Sequence, residues 1–110
     1  MKNFKGKLAV ITGAGTGMGR GLARQLAAEG CHLAMCDVQM EMLDETKTLC
    51  EKDALSNTCI TTHQCDVSDE GQVMAFCDAV KHQHDTRHIN LLFNNAGIGG
   101  GGQLYPGRPG

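Results

Sequence analysis

The stretch TGAGTGMGRG, residues 12–21, puts a glycine at every second position from 13 to 21, between the apolar run LAVI and the helix-like LARQLAAEG. Glycine gives up more backbone freedom on ordering than any other residue, so this density needs a reason. Where a parallel strand hands over to a helix, the first-turn N–H groups and the positive end of the helix dipole meet at one point. A phosphate binds there with little further help. Side chains at the closest approach would hold it off, which is the physical case for glycine. The chemistry these residues predict is anion capture by backbone amides.

The spacing narrows this. A Walker A loop needs Gly-Lys followed by Ser or Thr, and no such run exists, which disfavours nucleoside triphosphate hydrolysis. The G-x-G-x-x-G fingerprint also fails. From Gly13 and Gly15 its third position is Met18, and from Gly15 and Gly17 it is Arg20. T-G-x-x-x-G-x-G does fit, through Thr12, Gly13, Gly17 and Gly19. Other chemistry-bearing residues carry less. The six cysteines, at 31, 36, 50, 59, 65 and 77, form no C-x-x-C pair, and Cys36, Cys59 and Cys65 fall in strand-like runs. They read as reduced, buried small hydrophobes. His82, His84 and His88 cluster at the end of a polar helix and read as a solvated helix end, so no metal site is expected.

Elements that would position such a loop alternate regularly. KLAVIT (7–12) is a nearly continuous apolar run, as in a parallel strand covered on both faces. A helix follows from about Gly17 to Glu29, with Leu22, Ala23, Leu26 and Ala27 on one face and Gly30 as its stop. A second strand (31–37) precedes a helix over 39–53 with Met42, Leu43, Thr46, Leu49 and Cys50 along one stripe. A third strand (58–67) leads to a helix N-capped by Ser68, with Val73, Phe76, Cys77 and Val80 at helical spacing. INLLFNNAG (89–97) reads as a fourth strand. This rhythm predicts an α/β fold, a parallel sheet built from right-handed crossovers. Residues 98–110 carry Gly or Pro at 99–102, 106, 107, 109 and 110 and are expected to form a mobile tail.

Composition sets outer limits. With 110 residues, 41% hydrophobic and 20% charged, the chain is one small globular domain. A net charge of −2 with scattered Lys and Arg provides no basic face for nucleic acid or an anionic membrane. MKNFKGK leads into an apolar run too short for a signal segment or a membrane span, so a cytoplasmic protein is expected.

The glycine loop resembles the cofactor loop of the short-chain dehydrogenases/reductases. NNAG (94–97) resembles that family's motif after strand four, and CDV (65–67) its adenine-contacting site after strand three. Asp37 ends the second strand 18 residues beyond Gly19, near the ~20 expected for the acid on the adenosine ribose. The resemblance implies a Rossmann-like sheet of four strands in order 3-2-1-4 with three helices, making 1–97 a dinucleotide-binding domain. It implies cofactor contacts from Gly13, Gly15, Thr16, Gly17, Met18, Gly19, Asp37, Asp66, Val67, Asn94, Ala96 and Gly97. Asp37 favours NAD, because a carboxylate accepts from the 2′- and 3′-hydroxyls and repels the extra phosphate of NADP. Like charges ~4 Å apart cost about 1–4 kcal/mol between bulk water and a surface cleft. Thr16 stands where NADP-preferring relatives often carry a base, and Arg20 is expected to face solvent or an acid.

Family chemistry is hydride transfer between nicotinamide and an alcohol or carbonyl carbon, using Ser and Tyr-x-x-x-Lys. Tyr105 is followed four residues on by Pro109, and the serines are Ser56 and Ser68, so no catalytic residue carries over. The expectation is a chain truncated before the catalytic half, whose alcohol or carbonyl substrate belongs to a full-length form. Two readings stay open: the NAD-binding portion of an oxidoreductase, or a non-catalytic remnant acting through nucleotide or partner binding. A strand order of 3-2-1-4 leaves strand four at an edge open to self-association, with 91–93 poorly covered and the isolated chain marginal.

Overall fold

The computed structural model describes residues 4–55, 57–84 and 89–94. Seven elements alternate: β1 (Leu8–Thr12), α1 (Gly17–Ala28), β2 (His32–Asp37), α2 (Met40–Asp53), β3 (Ile60–Gln64), α3 (Glu70–Gln83) and β4 (Leu91–Asn94). The strands form one parallel sheet in the order β3-β2-β1-β4, as the resemblance implied. From β1 the chain steps outward to β2 and β3, then crosses back to β4 on the other side. The β1/β4 boundary is therefore the topological switch point, where ligands of such sheets bind at the carboxyl ends of the strands.

Side-chain alternation divides the core. Ala9 and Ile11 of β1 and Leu33 and Met35 of β2 turn to the face covered by α1 and α2, where Leu26, Leu43 and Cys50 meet them. Leu8, Val10, Ala34 and Cys36 turn to the other face, under Phe76 and Val80 of α3. Both faces of β1 and β2 are thus filled, which is why these two read as continuous apolar runs. Each fully buried large side chain here contributes roughly 1.5–3 kcal/mol. β3 is shorter than its sequence run suggested. Cys59 precedes it and Cys65 follows it, and its ITTHQ sequence is only half covered, as suits an edge. His63, on the α3 face, tilts against Phe76 with ring centroids 5.7 Å apart.

At β4 the expected poor cover applies to one residue in particular. Leu91 and Phe93 pack against the α1–α2 core, whereas Leu92 on the opposite face is 60% exposed. Its neighbours Asn95, Ala96 and Gly97, and the tail 98–110, lie outside the described residues.

Helix ends follow local rules with one correction. Gly30 takes φ +83°, where a side chain would be strained. Its N–H reaches the Ala27 carbonyl and the Cys31 N–H reaches Leu26, the paired bonds of a Schellman stop. The cap of α3, however, is Asp69 and not Ser68. The Asp69 carboxylate accepts from the Gln72 N–H at 3.2 Å, while the Ser68 hydroxyl is turned back to Asp66.

Candidate functional site

Residues 13–16 bridge the end of β1 to the start of α1 and lie along the end of β2. Backbone hydrogen bonds fix them there. The Ala14 N–H donates to the Cys36 carbonyl at 3.2 Å, and the Gly15 N–H donates to Asp37 Oδ2 at 2.8 Å. Gly15 is buried, and a Cβ placed on it would stand 2.7 Å from Asp37 Oδ2. Glycine at 15 is therefore required by the acid beside it. At Gly17 the requirement is conformational, because φ is +58° and open space surrounds the position.

Thr16 is the N-cap of α1 in extended conformation, and its side chain makes no capping bond. The first intrahelical bond runs from Arg20 N–H to the Thr16 carbonyl, so the amides of Gly17, Met18 and Gly19 precede the ladder. No acid sits in this first turn. Met18 is 78% exposed, and Gly19 is buried. The arrangement is a helix start at the switch point with neither a side-chain cap nor an acid in its own first turn.

Asp37 ends β2 half-exposed. Its second oxygen, Oδ1, accepts from the Gln39 N–H at 3.1 Å. An ionised carboxylate offers about four lone-pair positions, so about two remain open for hydroxyls. Asp66 lies on the same edge, just past β3, and the Cys65 N–H bonding to the Asp37 carbonyl brings the two strand ends together. Asp66 Oδ1 accepts from the Ser68 hydroxyl at 2.7 Å and from its N–H at 2.9 Å. Those bonds, the hydroxyl first, hold the Asp66 carboxyl below the ordinary carboxylate range. Val67 is half-buried against the α3-side core. On the other side of the loop, Asn94 Oδ1 accepts from the Thr12 hydroxyl at 2.8 Å, which ties the ends of β1 and β4. Gly13, Gly15, Thr16, Gly17, Met18, Gly19, Asp37, Asp66, Val67 and Asn94 thus share one sheet edge, and Ala96 and Gly97 fall outside the described residues.

Two residues beside this edge make contacts that the sequence reading did not specify. Thr46, taken as one member of the α2 stripe, is fully buried, with its hydroxyl 2.8 Å from the Ala14 carbonyl oxygen. Arg20 does meet an acid, with Nη2 2.9 Å from Glu45. It also donates from Nε to Thr46 Oγ1 at 2.9 Å and from Nη2 to the Met42 carbonyl at 3.0 Å. A threonine inside an apolar stripe was the available signal.

A groove of about 600 Å³ runs between α1 and β4, lined by Met18, Gly19, Leu22, Gln25, Phe93 and Asn94 among others. Of the candidate site residues, Met18, Gly19 and Asn94 line it, and Asp37 does not. The hydrogen-bonded edge is therefore the better guide to the chemistry. Among the described residues no group of three His, Cys, Asp or Glu could hold a metal ion, and no helix is long and apolar enough to cross a membrane.

A switch-point glycine loop beside an acid at the end of the second strand defines a dinucleotide-binding α/β protein. The chain belongs to the short chain dehydrogenase family, whose model matches residues 7–106. Levodione reductase of Leifsonia aquatica is 41% identical over 97 residues, which are 88% of this chain and 35% of that protein. A short chain dehydrogenase/reductase from Burkholderia phymatum, solved in complex with NAD, superposes with a TM-score of 0.78 at 41% identity, over 94% of this chain and 35% of that one. NAD⁺-bound xylitol dehydrogenase superposes with a TM-score of 0.79 at 33% identity, over 88% of this chain and 35% of that one. The chain spans between 35% and 38% of the length of the first curated relatives it matches.

Proposed function

We propose that this chain is an NAD-binding unit whose whole protein transfers a hydride between nicotinamide and an alcohol or carbonyl carbon. The amides of Gly17, Met18 and Gly19 would hold the pyrophosphate, with Gly13, Gly15 and Thr16 shaping the approach. Asp37 would hold the adenosine ribose hydroxyls, Asp66 and Val67 would border the adenine, and Asn94, Ala96 and Gly97 would border the nicotinamide half. The bound dinucleotide would supply the hydride-accepting ring. What these residues contribute is binding and orientation.

One observation carries the reading. The Gly15 N–H bond to Asp37 sets a carboxylate beside the helix start with lone pairs to spare for a ribose diol. It also supports NAD over NADP. A 2′-phosphate would face that carboxylate, and the base closest in sequence to the loop, Arg20, is turned onto α2 by Glu45, Thr46 and Met42. Calorimetric titration of the chain with NADH and NADPH tests this. NADH is expected to bind tenfold or more tightly than NADPH, the fold equivalent of the lower part of the like-charge cost of about 1–4 kcal/mol. Asp37→Ala should weaken NADH and narrow the gap. NADPH binding as tightly as NADH, or an Asp37→Ala chain that keeps its NADH affinity, would overturn the assignment.

A further inference from the structure

The glycine loop is held in shape from two sides, and the role assigned to that restraint below rests on the NAD reading above. Ala14 and Gly15 are tied at their N–H groups to β2, through the Cys36 carbonyl and Asp37 Oδ2. Their carbonyls point the other way, into protein. There they meet the side chain of Thr46, which sits in the second turn of α2 and is fully buried. Its hydroxyl lies 2.8 Å from the Ala14 oxygen, and 3.2 Å from both the Gly15 oxygen and the Met42 oxygen of its own helix. A hydroxyl has one hydrogen, and the shortest contact, to Ala14, takes it.

The Thr46 oxygen in turn accepts from Arg20 Nε at 2.9 Å. The Arg20 guanidinium is itself anchored by the Met42 carbonyl at 3.0 Å and by Glu45 at 2.9 Å. One buried hydroxyl therefore joins three segments: the loop by donating, the first turn of α1 by accepting, and α2 by position. The loop's inner edge is clamped on both sides, and the amides of residues 17–19 stay on its outer edge.

We infer that Thr46 is a positioning residue of the dinucleotide site, which fixes the Ala14–Gly15 backbone and so the direction of the amides that follow it. It touches no cofactor. Packing alone does not account for it, because valine has the same outline and would fill an apolar stripe better. Replacing the hydroxyl by a methyl strands the buried Ala14 carbonyl, where an unpaired polar group is costly, and takes from the half-buried Arg20 Nε–H its acceptor. The backbone then has reason to move toward other partners, and the loop amides move with it.

The test compares the full chain with its Thr46→Val and Thr46→Ser variants, read by amide hydrogen exchange without ligand and by NADH calorimetry. Thr46→Val is expected to speed exchange in residues 13–19 relative to β2 and α3, and to weaken NADH about tenfold. Thr46→Ser, which keeps the oxygen and loses a methyl, should restore both readouts to within about threefold. If Thr46→Val does not fold, Arg20→Met takes its place: it removes the donor that orients the Thr46 oxygen and should speed exchange over the same residues. Unchanged loop exchange in Thr46→Val, or in Arg20→Met where that replaces it, overturns the proposal. So does serine behaving like valine. A parent chain that binds no NADH refutes the cofactor reading instead, while the exchange comparison still decides the role of Thr46.

Discussion

Two glycines six positions apart should respond to alanine with opposite signs. At Gly15 the added Cβ would lie 2.7 Å from Asp37 Oδ2 and 3.0 Å from Met42 Cβ, about 0.7 Å inside the 3.4 Å at which ordinary contact begins. Asp37 has little room to yield, because its other oxygen is held by the Gln39 N–H at 3.1 Å. Moving it breaks the Gly15 bond, a charge-assisted hydrogen bond of about 1.5–3 kcal/mol, and keeping it overpacks the site by about 1–3 kcal/mol. The two costs are alternatives more than a sum, so a loss of roughly 2–3 kcal/mol is expected. In a domain of this size each kcal/mol shifts the midpoint by roughly 4–8 °C, which makes Gly15→Ala melt on the order of 10–20 °C lower. Gly21 lies exposed inside α1, and nothing stands within 4 Å of its would-be Cβ. Gly21→Ala should therefore gain about 0.5–1 kcal/mol of helix propensity and melt a few degrees higher. Far-UV circular dichroism melts of both variants check the pair. A Gly15→Ala midpoint within ~2 °C of the parent would refute the packing account of the loop.

Two further outcomes follow from titratable groups away from the loop. Burial, with His32 beside it, holds the His84 imidazole below its ordinary 6.5, and the ring's Nε2 sits 2.8 Å from the Thr61 hydroxyl. The unfolded chain then binds this proton more tightly, so the contribution of His84 is complete above about pH 6.5 and declines as pH falls toward the lowered folded value. Melting midpoints between pH 7.5 and 5 should fall toward acid, and His84→Gln should flatten that slope; an unchanged slope would remove His84 from the account. Among the cysteines, burial pushes the Cys31 and Cys50 thiols up to about 11 and Cys36 further, while Cys59 is exposed. Brief iodoacetamide treatment followed by mass spectrometry should mark Cys59 first and reach Cys31, Cys36 and Cys50 only in denaturant.

Much of this architecture was legible because several signals coincided. The runs 8–11 and 33–36 are apolar on both faces, as a parallel strand covered on both sides requires, and the helical stretches between them pointed the same way. Gly30 marked its helix stop because no other residue takes that φ cheaply. Less was legible where polar groups compete for one another. Ser68 and Asp69 are both good caps, and the choice fell to the residue whose carboxylate could reach Gln72 while Ser68 was taken by Asp66. Helical periodicity placed Thr46 on the buried stripe and was right about its position. It was silent about its partner, because the Ala14 carbonyl lies 32 residues away in the chain and backbone acceptors leave no mark in a sequence.

On the proposed reading, Asp37 performs two tasks with one carboxylate, and this constrains how the site can change. Gly15 and Gln39 use one lone pair on each oxygen, which leaves the carboxylate oriented as well as charged. A basic residue at this position would attract a 2′-phosphate but could not accept the Gly15 N–H, so a gain in phosphate affinity would come with a loosened loop. The neutral substitution Asp37→Asn keeps one acceptor oxygen but loses the charge, so it weakens the loop bond and the ribose bond together. For that reason Asp37→Ala alone cannot apportion its effect between ribose contact and loop shape. A double-mutant cycle with Thr46→Val can, since on the proposal above Thr46 holds the loop and touches no ribose. Additive losses in NADH affinity would assign the Asp37 effect to the ribose, whereas strong coupling would assign it to the Ala14–Gly15 backbone that both residues hold.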